Sequence, residues 1–471
     1  MIKPSYPLSI ILLAAVFIGC EVGGGSDPVY EISGIVTDDA GDGFSGVEVR
    51  LYETASISAA LNQYKLVYPT CGAPLSQAWM FDHRLHNAVS STLSGDDGSF
   101  ILHEAPAGEY MLTLIHQDCG FKYSGPVGVN NGNLDAGSLQ FKEAVHPGAY
   151  ISQHTIWEGG KCYIIDDQLT VNLGANLTIQ PGATIIFGGT NSKITINGTF
   201  VAAGNSTQWI RFTSDEINPG ESDWDKLYFK NIMDSVSQLK YCLIDYANNA
   251  VAANSKKIIV ANTVISDAYL GMSICTSIKS EIEDCYILNS RTGIKSLSIL
   301  QIDQCVFSGC STAVSVSESQ VFLYDNIITD CDTAIVEEFS PGLTIRYNLL
   351  KDNKVGIRCK AGSIENMFFE YNDFEDNYNR ALWCYFSAYP KIHYNNFSGS
   401  QYYIYTQGQQ QGMEYKQSDD IEAQNNYWDS TNREYIAGKI RDGDTPGIES
   451  WLGLVLFEPY AYSEYTNTGP R

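Results

Sequence analysis

Residues 321–335, VFLYDNIITDCDTAI, and residues 343–357, LTIRYNLLKDNKVGI, are two copies of one pattern, 22 positions apart. Each has an apolar residue, two variable positions, an Asn and then further apolar residues. Reading along the chain, the pattern recurs nine times with Asn or Cys at the marked position: Cys242, Asn262, Cys285, Cys305, Asn326, Asn348, Asn372, Asn395 and Asn425. A period near 22 residues with short apolar strands predicts a parallel β-solenoid whose coils pair at about 4.8 Å.

Equivalent positions of successive coils stack in such a solenoid. We therefore expect inward Ile, Leu, Val and Phe to form a continuous core, and Asn side chains at the bends to hydrogen-bond from coil to coil. Cys can replace Asn there as a small and weakly polar filler.

A different pattern precedes the repeats. Between residues 30 and 142, apolar residues alternate in short segments such as 47–51 and 110–114, and Gly, Pro, Asp or Asn bounds each segment. This alternation is typical of antiparallel strands joined by turns. The chain is thus predicted to be all-β, a small antiparallel β-sandwich followed by a parallel β-helix.

Charge restricts the partners of the chain. The 471 residues contain 29 Lys and Arg against 54 Asp and Glu, a formal net charge of -25. A polymer of phosphates meets a repulsive field on such a chain, so we expect no nucleic acid partner. An acidic polysaccharide needs a local basic patch on this chain or a bridging cation such as calcium. Apart from such a calcium ion, we expect no cofactor and no bound metal.

The N-terminus is typical of an export signal. Lys3 precedes an apolar run from Leu8 to Ile18 that is too short to span a bilayer but suits a signal peptide over residues 1–19. Gly19 followed by Cys20 resembles the lipobox of bacterial lipoproteins, which implies that Cys20 is lipidated, with residues 20–29 as a flexible tether. An ordinary signal peptide is the alternative. The expected location is the cell envelope, at the outer membrane or cell surface, with the lipid as the only membrane contact.

The other eleven Cys are an odd number and cannot all pair within the chain. Cys71 and Cys119 are the two in the sandwich region, and a disulfide between them could hold a long insertion from about Thr54 to Ser91. His83 and His86 in this insertion could be metal ligands, but no third ligand is identifiable, and a plain surface loop is the favoured interpretation.

Two family resemblances follow from these segments. Residues 33–38, 97–100 and 106–110 make the region 30–142 resemble the carboxypeptidase regulatory-like, transthyretin-type domain, which implies a non-catalytic spacer.

The repeats over 143–462, with opening coils from residue 163 and a terminal coil and cap from Asn425, resemble the right-handed parallel β-helix of the pectin-lyase-like superfamily. Residues 463–471 form a tail. The fold alone is a poor guide to chemistry.

Outward-facing residues are candidates for binding. Tyr347, Tyr371 and Tyr394 fall on three successive coils and could offer an aromatic strip to sugar rings, while Trp383 and Tyr405 lie on another face. Aromatic residues in a ladder also stack on each other and stabilise sheets. The three tyrosines are nevertheless the predicted ligand-binding residues.

An enzymatic interpretation rests on three other side chains. Glu283 and Asp303 are predicted on neighbouring coils, close to the carboxyl separation of about 5 Å in retaining glycosidases. Arg346 could imitate the base of a lyase. The superfamily's polygalacturonases have a Gly-His-Gly loop, which this sequence lacks, and no complete lyase or hydrolase motif is found.

We therefore interpret the sequence as an exported, membrane-anchored lipoprotein whose β-helix is a non-catalytic scaffold for a polysaccharide or cell-surface glycan. A polysaccharide lyase or glycoside hydrolase is one alternative, and a structural or adhesive stalk without a small ligand is the other.

Overall fold

The structure is a computed structural model that describes residues 28–230, 236–276, 278–360, 366–385, 388–407, 419–446 and 453–471. The predicted signal peptide and Cys20 lie outside the described residues. Within the described ranges, no helix is long and apolar enough to cross a membrane.

The N-terminal sandwich packs two sheets around a core that includes Val36, Leu51, Phe100 and Leu112. In spatial order, the three-stranded sheet contains Ser99–Pro106, Val29–Thr37 and Leu134–Gln140. The four-stranded sheet contains Ser90–Leu93, Glu48–Glu53, Gly108–His116 and Gly120–Val129. The pairs are antiparallel, as predicted, except that Val29–Thr37 pairs in parallel with Leu134–Gln140.

The remainder is a right-handed parallel β-helix of about eleven turns, which confirms the predicted fold class. Three parallel sheets run along it. Sheet I contains Cys162–Ile165, Thr184–Phe187, Ile210–Ser214, Cys242–Asp245, Val264–Ser266, Tyr286–Leu288, Val306–Ser308, Ile327–Thr329, Leu349–Lys351, Asp373–Glu375 and Asn396–Ser398. Sheet II contains Tyr150–Ile151, Gln168–Val171, Lys193–Ile196, Trp224–Phe229, Ala247–Asn254, Leu270–Cys275, Thr292–Ser296, Thr312–Ser317, Thr333–Glu338, Val355–Lys360, Arg380–Tyr385, Tyr402–Gln407 and Ile440–Arg441. Sheet III contains Thr155–Trp157, Asn176–Ile179, Thr199–Ala203, Ser237–Lys240, Ile258–Ala261, Ser280–Glu283, Leu300–Asp303, Gln320–Tyr324, Gly342–Arg346, Met367–Glu370 and Lys391–His393.

The predicted Asn ladder lies inside the solenoid. The Nδ2 of Asn348 donates to Oδ1 of Asn372 at 3.0 Å, and Asn372 donates in the same way to Asn395 at 2.9 Å. The same Nδ2 atoms also donate to backbone carbonyls of their own and the preceding coil. These bonds satisfy buried amides that would otherwise cost free energy.

Two ladder assignments are wrong by one residue. The ladder continues through Asn426, which accepts from Asn395, whereas Asn425 occupies the preceding bend with φ of 61°. Likewise Asn262 occupies a bend with φ of 47°, and the ladder position is taken by Thr263, whose hydroxyl accepts from the backbone N–H of Cys242. Asn is suited to both positions, because it tolerates left-handed backbone as well as forming side-chain ladders.

The long insertion of the sandwich packs against the outside of sheet I. It contains the helices Ala59–Val67 and Gln77–Met80 and a 3₁₀ turn, His83–Leu85. Trp79 lies 5.4 Å from the Tyr286 ring and 6.2 Å from the Trp209 ring, measured between centroids. Together with Trp209, Trp79 packs on an outward apolar row formed by Leu243, Val264, Tyr286, Val306, Ile327 and Leu349. The interpretation of this segment as a plain surface loop is therefore wrong.

Both cysteines of the sandwich region are free. Cys71 lies in the insertion against the solenoid, where its thiol contacts the carbonyl of Asp325, whereas Cys119 lies in the sandwich core. The disulfide considered from the sequence does not form, because the two thiols belong to different cores.

The α-helix Arg433–Gly438 and a two-stranded pair, Ile421–Glu422 with Val455–Leu456, follow the last full coils. The tail then returns along the bend between sheets III and I. Arg471 pairs there with Asp325 at 3.2 Å, and its carbonyl accepts from the hydroxyl of Thr70 in the insertion.

Candidate functional site

Aromatic and arginine side chains gather on the outer face of sheet II, near its C-terminal end. One row crosses four neighbouring strands in register: Arg358, Trp383, Tyr405 and Arg441. Arg380 and Tyr402 stand beside it in the adjacent row. We call these six residues the arginine–aromatic patch.

Strand geometry turns these side chains outward. In Arg380–Tyr385, Leu382 and Cys384 are buried in the solenoid core, so Trp383 between them points to the outer face and is only partly buried. The same alternation holds in Tyr402–Gln407, where Ile404 is buried and Tyr405 is partly exposed.

The Arg380 guanidinium lies over both aromatic residues. Its central carbon is 4.2 Å from the centroid of the Trp383 ring and 3.8 Å from that of Tyr405. Arg441 approaches the same Tyr405 ring at 4.5 Å, and Tyr402 meets it edge-on at 5.3 Å between centroids. Cation–π attraction of this kind holds a guanidinium in place without neutralising its charge.

No carboxylate in the described ranges balances the positive charge of the patch. Among the described residues, Arg358, Arg380 and Arg441 form no ion pair, although Lys360 nearby pairs with Glu338. Burial, and to a smaller degree the charge of Arg441, lower the pKa of Arg380. The buried Asp442 next to Arg441 uses its carboxylate to accept backbone N–H groups of Asp444 and Val455.

Three nitrogen atoms of the patch are buried. Within the described part of the chain, the Nε of Arg358, the Nε of Arg380 and the Nε1 of Trp383 are buried and make no hydrogen bond. Such groups carry a desolvation cost that a bound acceptor nearby could reduce.

A cleft of about 550 Å³ borders the patch at Tyr402. Its walls come from the cap and include Arg433, Asp442, Val455 and Phe457. The patch and the cleft thus share Tyr402.

The predicted tyrosine strip exists as a stack. Tyr371 lies between Tyr347 and Tyr394, with centroids 5.2 Å apart on both sides and interplanar angles of 10° and 12°. Arg471 covers the outer side of Tyr347 at 3.4 Å, and Tyr465 contacts Tyr394 edge-on. Both faces of the middle ring are occupied by its neighbours, and sugar binding at this strip remains a prediction.

The predicted register of the acidic pair is observed. Glu283 and Asp303 are direct partners on adjacent strands of sheet III. Burial raises the pKa of Asp303, and its Oδ2 accepts from the side-chain amide of Gln301. Arg346 does not join them, because Tyr324 lies between Asp303 and Arg346 in the ladder and Arg346 pairs with Glu370 at 2.7 Å.

The two insertion histidines are engaged with aromatic residues. The Nδ1 of His83 lies 2.9 Å from the Tyr123 hydroxyl, and burial lowers the pKa of His83 to about 4. His86 stacks on Phe81. Both line a cleft of about 750 Å³ between the sandwich and the solenoid, and neither belongs to a group of three metal-binding side chains among the described residues.

Comparison with known proteins adds one finding. Residues 225–443 match a protein family described as "Periplasmic copper-binding protein (NosD)", a match that spans slightly less than half of the chain. No curated protein matches the chain.

The described residues do not fit a copper centre. They contain no group of three or more His, Cys, Asp or Glu side chains that could hold a metal. Thiols do meet in stacked pairs, Cys285 with Cys305, Cys310 with Cys331 and Cys359 with Cys384. These six thiols are buried, and the partners that they contact include backbone carbonyls. The parallel β-helix is thus similar to the NosD family over residues 225–443.

Proposed function

We propose that this protein is an exported, membrane-anchored lipoprotein of the cell surface whose β-helix is a non-catalytic scaffold for carbohydrate. The N-terminal sandwich serves as a spacer between the membrane and the solenoid. The match to a family described as periplasmic supports export, as does the signal-like sequence before Cys20.

The observation that carries the binding function is the arginine–aromatic patch. Trp383 and Tyr405 stand outward in register on two neighbouring strands of sheet II. Aromatic rings together with a few hydrogen-bond donors are the usual lining of sites for organic ligands. A site on adjacent strands is also preorganised, so little entropy is lost when a ligand binds.

The geometry favours binding over catalysis. A retaining glycosidase needs two carboxyl groups on either side of the scissile bond, and Glu283 and Asp303 lie on sheet III, away from the aromatic surface of sheet II. Arg346, the third residue of the enzymatic interpretation, is held by Glu370.

Binding and turnover can be measured together on the full chain in detergent. The chain is incubated with a panel of neutral and acidic polysaccharides, and depletion of the protein with the polymer and formation of new reducing ends are both scored. We expect depletion without new ends. Tyr405→Ala should reduce depletion, because it removes the ring on which Arg380 and Arg441 rest.

The matched control is Tyr269→Ala. Tyr269 also lies on the sheet II side and also carries an arginine, Arg291, at 4.7 Å, but it stands outside the patch. New reducing ends would contradict the proposal and favour the lyase or hydrolase alternative. Absence of depletion with every polymer would favour the stalk.

The anchor has its own test. Full-length chain and Cys20→Ser are expressed in a bacterial host with labelled palmitate, and membrane and soluble fractions are compared. We expect label and membrane retention for the wild type and loss of both for the variant. Equal labelling of the two chains would contradict lipidation at Cys20.

A further inference from the structure

We infer that the arginine–aromatic patch binds an anionic saccharide, one that carries carboxylate or sulfate groups. This inference rests on the proposed carbohydrate-binding function and specifies the class of ligand.

The first argument is charge. Three guanidinium groups share one surface on a chain with a net charge of -25, and the described carboxylates form no ion pair with them. Placing like charges together is unfavourable unless a counter-charge is bound some of the time. The patch is thus the local basic surface that an acidic polysaccharide requires on an acidic protein.

The second argument is the state of Arg380. Two aromatic rings hold its guanidinium, at 4.2 Å and 3.8 Å, and its buried Nε forms no hydrogen bond with any residue that the structure describes. A guanidinium fixed by stacking keeps its N–H fork available for a planar, bidentate acceptor such as a carboxylate or a sulfate.

The third argument is extent. Arg358 and Arg441 are three strand steps apart, which is about 14 Å at the usual strand spacing. One small anion cannot contact both ends of this row. An oligosaccharide with charged groups on separate sugar rings can contact both.

The turns that lead into sheet II provide an internal comparison. Arg291 lies over Tyr269 at 4.7 Å, but Glu221 neutralises it through an ion pair of 3.0 Å. An arginine–tyrosine contact alone therefore does not leave a free positive charge, and the lack of a described carboxylate distinguishes Arg380 and Arg441 from Arg291.

Three forms of one polysaccharide test the inference: neutral dextran, carboxymethyl-dextran and dextran sulfate. Binding of the full chain to each is measured by affinity electrophoresis and calorimetry at low and high salt. We expect at least tenfold tighter binding to an anionic dextran than to the neutral one, weakening as salt rises. The two anionic polymers distinguish carboxylate from sulfate recognition.

Variants assign the binding to the patch. Arg380→Gln and Arg441→Gln should each weaken binding to the anionic dextran about tenfold and reduce its salt dependence, whereas Arg291→Gln, with the same change of net charge, should stay within twofold. Circular dichroism and thermal unfolding confirm that each variant folds.

Each other result overturns the inference in a recognisable way. Equal binding to neutral and anionic dextran, or binding of neutral polysaccharides alone, leaves the proposed function in place but removes the anionic ligand. If Arg380→Gln and Arg441→Gln bind the anionic dextran as tightly as the wild type, the patch is not the binding site. Tighter binding to single-stranded DNA than to either anionic dextran replaces the saccharide by a nucleic acid. If the chain binds none of the polymers, both carbohydrate binding and the anionic saccharide ligand are contradicted.

Discussion

The guanidinium carbon of Arg380 lies 3.8 Å from the centroid of the Tyr405 ring, although the two residues belong to neighbouring coils and are 25 positions apart. The register of the solenoid creates this contact, since Arg380 pairs with Tyr402 and Tyr405 stands one outward position further along the same strand. A long side chain in one row can thus cover an aromatic ring in the next.

Arg380→Lys separates stacking from charge. A lysine keeps the positive charge but has no planar group to lie on Trp383 and Tyr405 and no bidentate fork. We expect affinity for carboxymethyl-dextran to fall about fivefold or more, with the salt dependence largely retained. Calorimetry of Arg380→Lys beside Arg291→Lys measures this, and full affinity in Arg380→Lys would show that only net charge matters.

Tyr371→Ala tests whether the tyrosine stack binds ligand. Both faces of the ring are covered by Tyr347 and Tyr394, so its removal should lower the free energy of unfolding by about 1–3 kcal/mol through lost packing. Polysaccharide affinity should change less than twofold. A large loss of affinity in a folded variant would instead support the tyrosine strip as the ligand site.

Asn348→Leu tests the interior ladder. The substitution removes the bonds from Asn348 Nδ2 to Asn372 and to two carbonyls, and it leaves the backbone N–H of Asn326 without its acceptor. We expect a loss of about 2–4 kcal/mol in urea unfolding. Asn218→Leu, at an exposed position, should have little effect. Unchanged unfolding of Asn348→Leu would contradict the ladder.

Much of the solenoid could be predicted because its repeats constrain each other. The positions of Asn326, Asn348 and Asn372 follow from steps of 22 and 24 residues, with an apolar residue three places before each Asn. Asn262 and Asn425 were misplaced by one residue, because Asn also suits the left-handed bend before the ladder, where both adopt positive φ. A local pattern cannot decide between two positions that favour the same residue.

The sequence indicates the aromatic residues of the patch but not its arginines. Trp383 and Tyr405 are recognisable as outward aromatic residues, but their partner Arg380 lies in a different row, and its position over both rings depends on side-chain conformation across two coils. A search for outward arginines without a carboxylate one coil away would have found the group.

Docking of the insertion was missed because it depends on contacts far apart in sequence. A signal for it exists: consecutive apolar residues such as Tyr286 and Ile287 place one side chain inside and one outside the coil. An outward apolar row repeated on several coils indicates a covered face.

Trp79→Ala tests this docking. Trp79 is 8% exposed and packs on Tyr286 and Trp209, so its loss should create a cavity over sheet I and lower stability by about 3–5 kcal/mol. Chemical denaturation and binding of a hydrophobic dye report the two effects. Leu66→Ala in the same insertion removes a side chain that is 71% exposed and should be close to neutral. Similar losses in both variants would contradict a docked insertion.

The charged cluster beneath the insertion predicts a pH dependence of stability. Asp245 is buried beside Arg211, 3.5 Å away, and near Arg84 and Asp82; burial raises the pKa of Asp245 to about 7. The unfolded chain has an ordinary Asp pKa of about 4, so between about pH 4 and pH 7 the folded state holds a proton that the unfolded state has lost. This contribution is fully present below about pH 4 and is lost as pH rises to about 7, with a slope on the order of 1 kcal/mol per pH unit.

The opposite sign applies to Asp82, whose pKa is held low by its hydrogen bonds and ion pair with Arg84, and whose contribution is lost only as pH falls below about 4. Burial also raises the pKa of Glu337 to about 7 and that of Asp284 to about 6, so the wild type alone cannot assign the effect. The contribution of Asp245 is isolated by comparing urea unfolding of the wild type and of Asp245→Asn at about pH 5, 6 and 7. The stability of the wild type relative to Asp245→Asn should decrease as pH rises. A difference between wild type and Asp245→Asn that stays constant over this range would mean that Asp245 is ionised throughout, with its charge fully balanced by Arg211 and Arg84.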